Sequence, residues 1–235
     1  MSSTHSLMEV FGEEITGSGV ALKNKSLKKD IINQLDEDGD LTIADLSREL
    51  NISTPKITSL VNELIDEGLL QDLGKIDSTG GRRASIYGLV NDACYFIGVD
   101  VKRYYINIGL LDFKKHLVSV HEKIPYPLEN TQQSLTALID TIRNFIKEQG
   151  ITKDKILGIG INLSGRVNNI TGYSYSYFHF HEEPLVATIE QELGIKTFLE
   201  NDSNAMAYGE FAHGVVTNEK NVLFINLDYG TGSGI

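Results

Sequence analysis

Cysteine is almost missing from this chain: its 235 residues include one, Cys94. A lone thiol excludes an internal disulfide framework and a four-cysteine zinc site. Long apolar runs are missing as well. None approaches the ~18 residues that a membrane-spanning helix needs, and residues 1–20 lack the basic-then-apolar pattern of a secretory leader. A cytoplasmic protein without a membrane partner is therefore expected. Basic residues are scarce relative to acidic ones, 21 Lys+Arg against 32 Asp+Glu for a net charge of −11. That balance argues against indiscriminate nucleic-acid binding but leaves room for a local site, because screening over ~10 Å lets a cluster act apart from the sum. The basic residues of the amino-terminal part are indeed clustered, at Lys23, Lys25, Lys28 and Lys29, at Lys56, and at Lys75, Arg82 and Arg83. What remains is ordinary: 41% hydrophobic and 23% charged residues suit a globular protein of one large or two small domains.

Residues 1–25 show no sustained period and are expected to form a poorly ordered tail. From Ser26 the pattern changes. Leu27, Ile31, Ile32 and Leu35 share one helical face, and Gly39 ends that run. Thr42, with Asp45 three residues on, predicts a capping box for a second helix. Ser53 or Thr54 can cap a third helix with Pro55 in its first turn, and Ile57, Leu60, Val61, Leu64 and Ile65 form its apolar face. Two short helices joined by a tight turn are a helix-turn-helix signature. Strand-like runs at 69–75 and 84–90 then flank a polar, glycine-containing, basic tip, which completes a winged domain over residues 26–92. The outward face of the third helix offers Thr54, Lys56, Thr58, Ser59 and Asn62, short groups suited to phosphates and base edges in a major groove. Arg82 and Arg83 at the wing tip suit phosphates or a minor groove. Operator DNA is the expected partner of this domain, and a polar face used only for protein contacts is the alternative.

Beyond the turn at Asn91-Asp92, three strand-like runs (95–101, 105–111, 117–124) precede an amphipathic helix over 131–149. A glycine-alternating strand at 156–163 follows and is expected to be buried on both faces. It runs into Ser164-Gly165-Arg166-Val167. A second helix leads to a strand at 196–200 and then to Glu200-Asn201-Asp202-Ser203. In open α/β sheets ligands bind at the carboxyl ends of strands, so Gly165-Arg166 and Asn201-Asp202 are expected at one sheet edge. An amide that donates and accepts, beside a carboxylate that accepts two hydroxyl protons, suits a polyol. The competing reading is a helix cap made by Asp202 or Ser203. The aromatic run Tyr173 to His181 reads as a sugar-stacking wall, a dimer contact or loop packing; His179, His181 and Glu182 fit no structural zinc spacing.

Gly80-Gly81-Arg82-Arg83 followed by Tyr87-Gly88-Leu89 resembles the wing of ROK-family regulators. Gly98-Val99-Asp100, Leu163 to Val167, Glu200 to Ala205 and Leu227 to Gly232 are similar, in order, to successive motifs of ROK sugar kinases and repressors. The resemblance implies an α/β chain: an amino-terminal winged helix-turn-helix, then a partial actin-like (ribonuclease-H-like) sugar-kinase fold. Its first lobe would span residues 93–212 and its second lobe would begin at 213–235. It also implies that Gly165, Arg166, Asn201 and Asp202 contact a sugar, that Asp202 corresponds to the kinases' base, and that Gly230-Thr231-Gly232 is a remnant of a phosphate loop. Where the kinases follow the early aspartate with a glycine-glycine-threonine cradle for ATP, Asp100 is followed by Val101, Lys102, Arg103 and Tyr104. The function expected is that of a sugar-responsive repressor, homodimeric or larger and not an enzyme, with a sugar or sugar phosphate as effector and no catalytic residue. An ATP-dependent sugar kinase with an appended winged helix is the alternative. The family's zinc motif and a further histidine ligand would lie beyond residue 235, so no cofactor or metal is expected in this chain.

Overall fold

The fold is taken from a computed structural model that describes residues 10–11, 19–75, 84–180, 182–214, 221–227 and 231–234. The chain divides into two units, residues 1–95 with the turn 112–116, and residues 96–111 with 117–235.

In the first unit, helix α1 (Gly19–Asp38) buries Ile31, Ile32 and Leu35. It begins well before Ser26, which corrects the expected tail over residues 19–25, residues 1–9 and 12–18 of it lying outside the described residues; Val10 is buried and Phe11 meets the Phe113 ring edge-on at 6.2 Å. The two-residue strand β1 (Leu41–Thr42) leads into α2 (Ile43–Glu49), closed by the expected capping box: the Asp45 N–H donates to Thr42 Oγ1 at 3.2 Å and the Thr42 N–H to Asp45 Oδ2 at 3.3 Å. The Thr42 hydroxyl bound to Asp45 is the main reason its carboxyl lies below the usual carboxylate range. Asn51 takes a left-handed φ of 52° in the turn that follows. Helix α3 (Thr54–Asp66) buries Ile57, Leu60, Val61 and Leu64; Ser53 holds its cap position but makes no side-chain cap bond, Pro55 supplying the first-turn geometry instead. Strand β3 (Ser85–Leu89) pairs antiparallel with β2 (Leu70–Lys75) on one side and with β1 on the other. The wing tip between β2 and β3, including Arg82 and Arg83, lies outside the described residues.

The second unit is built on a five-stranded sheet in the order β10 (Thr197–Asn201), β7 (Ile156–Leu163), β4 (Tyr95–Val101), β5 (Tyr105–Asp112) and β6 (Leu117–Pro125). Alternation sets its inner face: Ile97, Val99 and Val101 of β4 (Tyr95–Val101) and Ile106, Ile108 and Leu110 of β5 (Tyr105–Asp112) are all buried. Strand β6 (Leu117–Pro125) returns antiparallel to β5. Helix α4 (Gln132–Gln149) buries a stripe from Leu135 to Ile146 and ends at Gly150 with φ 66°. Strand β7 (Ile156–Leu163) buries Ile159, Ile161 and Leu163 on one face. The expectation of burial on both faces is corrected: Gly158 is covered by the ring of Phe198, while Gly160 is exposed. The short hairpin β8 (Val167–Asn168) and β9 (Tyr173–Ser174) precedes α5 (Leu185–Leu193). Strand β10 (Thr197–Asn201) then pairs parallel with β7, placing Asn201 opposite Leu163. Helix α6 (Asp202–His213) follows directly, and a separate hairpin joins β11 (Phe224–Leu227) to β12 (Thr231–Gly234).

Candidate functional site

The outward face of α3 carries Thr54, Thr58, Ser59 and Asn62 exposed, as expected of a recognition helix. Two of its hydroxyls are locally engaged: Thr58 Oγ1 donates to the Thr54 carbonyl at 2.8 Å and Ser59 Oγ to Glu63 Oε1 at 3.2 Å. Lys56 differs from the rest. It is half-buried, and its ammonium donates to Asn24 Oδ1 of α1 at 2.7 Å.

In the second unit, the parallel pairing of β7 with β10 brings two strand ends to one edge, and a cavity of about 420 Å³ opens there. Gly165, Asn201 and Asp202 line it together with Ser164, Ser203 and Tyr177. Such a volume falls within the roughly 300–1,000 Å³ of small-molecule sites. Asn201 is the cap of α6, its Oδ1 accepting the N–H groups of Ser203 at 3.0 Å and Asn204 at 3.2 Å. The cap is thus neither Asp202 nor Ser203 but the residue before both, because α6 starts at Asp202 itself. The Asn201 amide also donates to the Gly165 carbonyl at 2.8 Å, tying the two strand ends together. Asp202 Oδ2 accepts the Ser164 hydroxyl at 2.6 Å, and its Oδ1 accepts the Ser203 N–H at 2.8 Å. Behind them Glu200 accepts from Asn169 and Asn204 side chains at 2.7 and 3.1 Å, bracing the β8 loop against α6.

The opposite wall is formed by Lys102, Arg103, Tyr104 and Tyr105. This turn is hydrogen-bonded shut: the Lys102 N–H donates to the Tyr105 carbonyl at 2.9 Å, while the Arg103 and Tyr104 carbonyls accept the Leu128 and Tyr126 N–H groups, each at 3.0 Å. Tyr126 is fixed in turn by its hydroxyl against Ser134, and burial pushes that phenol up to about 12. Asp100 is engaged from both sides, by the Lys102 ammonium at 3.2 Å and the Asn107 amide at 3.2 Å. Asn226, Gly232 and Ser233 of the β11–β12 hairpin complete the lining.

Residues 96–235 match the profile of the ROK family. The chain belongs to that family. Residues 25–71 match a winged helix-turn-helix DNA-binding profile. The ROK chain is 27% identical over 211 residues to the xylose repressor of Bacillus subtilis (strain 168), covering 88% of this chain and 54% of that protein. It is 26% identical over 204 residues to the DNA-binding transcriptional dual regulator NagC of Escherichia coli (strain K12), covering 86% and 50%. It therefore spans about half the length of the curated relatives it matches. Among solved structures, a ROK family transcriptional regulator described as a homologue of the E. coli MLC protein superposes with a TM-score of 0.71 at 23% identity, covering 91% of this chain and 54% of that one. That likeness shows the fold: a winged helix-turn-helix followed by an actin-like α/β domain.

Not every expected residue of the ROK chain reaches the cavity. Arg166 does not line it. Its N–H donates to Ser176 Oγ at 2.9 Å and its guanidinium lies over the Tyr175 ring, 5.5 Å from the centroid. Of the phosphate-loop remnant, Gly230 lies outside the described residues, and Thr231 and Gly232 belong to strand β12 and not to a loop. Gly232 abuts α6 so closely that a Cβ there would stand 1.9 Å from Ser203 Oγ. Ser164 is the residue that sequence reasoning left unassigned. Its place next to Gly165 in the same strand-end motif was the available signal.

Proposed function

We propose that this ROK chain is a sugar-responsive, DNA-binding transcriptional repressor and not an enzyme. Its winged helix reads an operator as a homodimer on two half-sites, and a sugar or sugar phosphate in the cavity biases DNA binding in the cytoplasm. The observation that carries the reading is the turn after Asp100. A kinase of this fold needs open backbone N–H groups there to hold phosphates, since positioning and charge stabilisation are nearly all it contributes. Here the first of those N–H groups is spent on Tyr105, three bulky side chains stand in the way, and Asp100 is neutralised by Lys102. Hydroxyl-binding groups survive on the other wall, so recognition of a polyol is compatible with the loss of turnover. Similarity to xylose and N-acetylglucosamine repressors supports the same reading.

The test is a gel shift of the chain on the DNA upstream of its own reading frame, paired with a coupled ADP assay against hexoses, pentoses and N-acetylhexosamines. Sequence-selective, salt-sensitive binding without turnover is expected. Arg82→Ala and Arg83→Ala should weaken binding on every duplex, whereas Asn62→Ala should relax base preference by roughly 1–3 kcal/mol at one position. Turnover that disappears in Asp202→Asn would instead establish the kinase.

A further inference from the structure

Helix α1 carries its charges the wrong way round for its own stability. Its first turn holds no acidic residue and its last turn no basic one, whereas the helix dipole favours the reverse arrangement. Lys23, Lys25 and Lys28 lie in the amino-terminal half and Lys29 follows at the middle, with Asp30 as the one acidic residue before Leu35; Asp36, Glu37 and Asp38 end the helix. Part of this pattern has an internal explanation. Within the first unit Asp36 pairs with Lys115, and Lys28, largely buried, pairs with Glu63 and Glu67 of α3. Lys23 and Lys29 take part in no ion pair among the described residues.

The same half of α1 has no packing reason to be helical. No apolar residue of it is buried before Ile31, and a helical extension of this length is marginal in water unless something holds it. What holds it is polar and points at α3: Asn24 accepts the Lys56 ammonium at the first turn of α3, and Lys28 reaches Glu63 and Glu67 near its end. The turn of α1 next to Lys23 is thereby fastened beside the amino-terminal end of the recognition helix, the end that enters a groove in helix-turn-helix proteins, and the turn of Lys28 and Lys29 beside the later turns of the same helix. A duplex presents rows of phosphates on either side of that groove.

We propose that the stretch of α1 from Lys23 to Lys29 is a phosphate-contacting arm for duplex DNA, with Lys23 and Lys29 taking backbone phosphates flanking the groove read by α3. The proposal rests on the DNA-binding reading above. Phosphate contacts set register and affinity without reading sequence, so this arm strengthens binding on all duplexes and leaves base choice to Thr54, Thr58, Ser59 and Asn62. Lys56, bonded to Asn24, is the link between arm and reading helix.

The experiment is a fluorescence-anisotropy titration of the full chain on a labelled duplex from upstream of its reading frame, and on a scrambled duplex, across a salt series. Each phosphate contact contributes a slope of about 0.9 in log K against log salt. The double variant Lys23→Gln/Lys29→Gln should therefore flatten the slope by about 1.8 while keeping the ratio between the two duplexes. Lys28→Gln, whose ammonium is spent on glutamates, and Lys123→Gln/Lys147→Gln, a charge change in the second unit equal to that of the double variant, should keep the parent slope. An unaltered slope in Lys23→Gln/Lys29→Gln overturns the proposal, and so does an equal loss from Lys123→Gln/Lys147→Gln, which would mark a bulk-charge effect. If the parent chain binds neither duplex, the DNA-binding reading itself fails and the arm falls with it.

Discussion

At Gly165 a side chain is excluded twice, by a φ of +95° and by Ser176, whose Cβ and Oγ would lie 2.5 Å from an added Cβ. Gly165→Ala is expected to lower stability by roughly 1–3 kcal/mol, read as a fall in the denaturation midpoint, and to weaken polyol binding in calorimetry; an unchanged midpoint would falsify the close approach. Asn201 shows how a cap leaves room for the proposed ligand contact in one residue. Its Oδ1 is spent on the helix and one amide hydrogen on Gly165, which leaves the second amide hydrogen for a ligand. Asp202 is similarly restrained by Ser164 and acts as a fixed acceptor. That a polar cluster stood at this strand end was legible in the residues. Which of the neighbouring polar side chains would cap α6 was not, because Asn201, Asp202 and Ser203 are all competent N-caps and the choice depends on where the parallel ladder releases the chain.

Among the elements, α2 is the most local in its causes, and it was correspondingly legible: Thr42 and Asp45 are three residues apart and bond to each other's backbone and side chain, with Arg48 of the same helix on the other carboxylate oxygen. Thr42→Ala should cost about 1 kcal/mol of unfolding free energy at neutral pH. Because the Asp45 carboxyl is held below its usual range in the folded chain, its stabilising contribution is present above the unfolded value near ~4 and is lost as pH falls through the folded value. The gap between Thr42→Ala and the parent should therefore narrow in acid; a gap constant from neutral to strongly acidic pH would remove Asp45 from the account. Strand β7 was harder to read. Its alternating glycines pointed to two covered faces, but what covers Gly158 is a single ring from Phe198 across the ladder, and Gly160 has no such neighbour. Arg166 was misplaced for a related reason: its partner Tyr175 comes from the far side of the β8–β9 hairpin, a pairing that no local pattern announces.

For the molecule as a whole, the proposed function makes sugar and DNA linked ligands. A sugar that weakens operator binding by a given factor must itself be bound more weakly, by that factor, in the presence of operator, a coupling of roughly 1–3 kcal/mol. Calorimetric titration of an inducing sugar with and without saturating duplex checks this, and equal affinities in the two titrations would rule out coupling within this chain. The order of the motifs made the sheet edge legible, because consecutive parallel strands deliver their carboxyl ends to one side. The wall contributed by Asn226, Gly232 and Ser233 was not, since it depends on β12 settling onto α6. That dependence on distant pairing also has a kinetic side. Strand β10 reaches β7 only after residues 164–196 have closed a loop, at an entropic cost of roughly 3 kcal/mol from chain length alone. The edge that makes the cavity is therefore expected to form late in the second unit, after the β5–β6 hairpin. Damage there should surface as faster unfolding with little change in the rate of folding, so that a defective cavity shortens the lifetime of the native chain without hindering its birth.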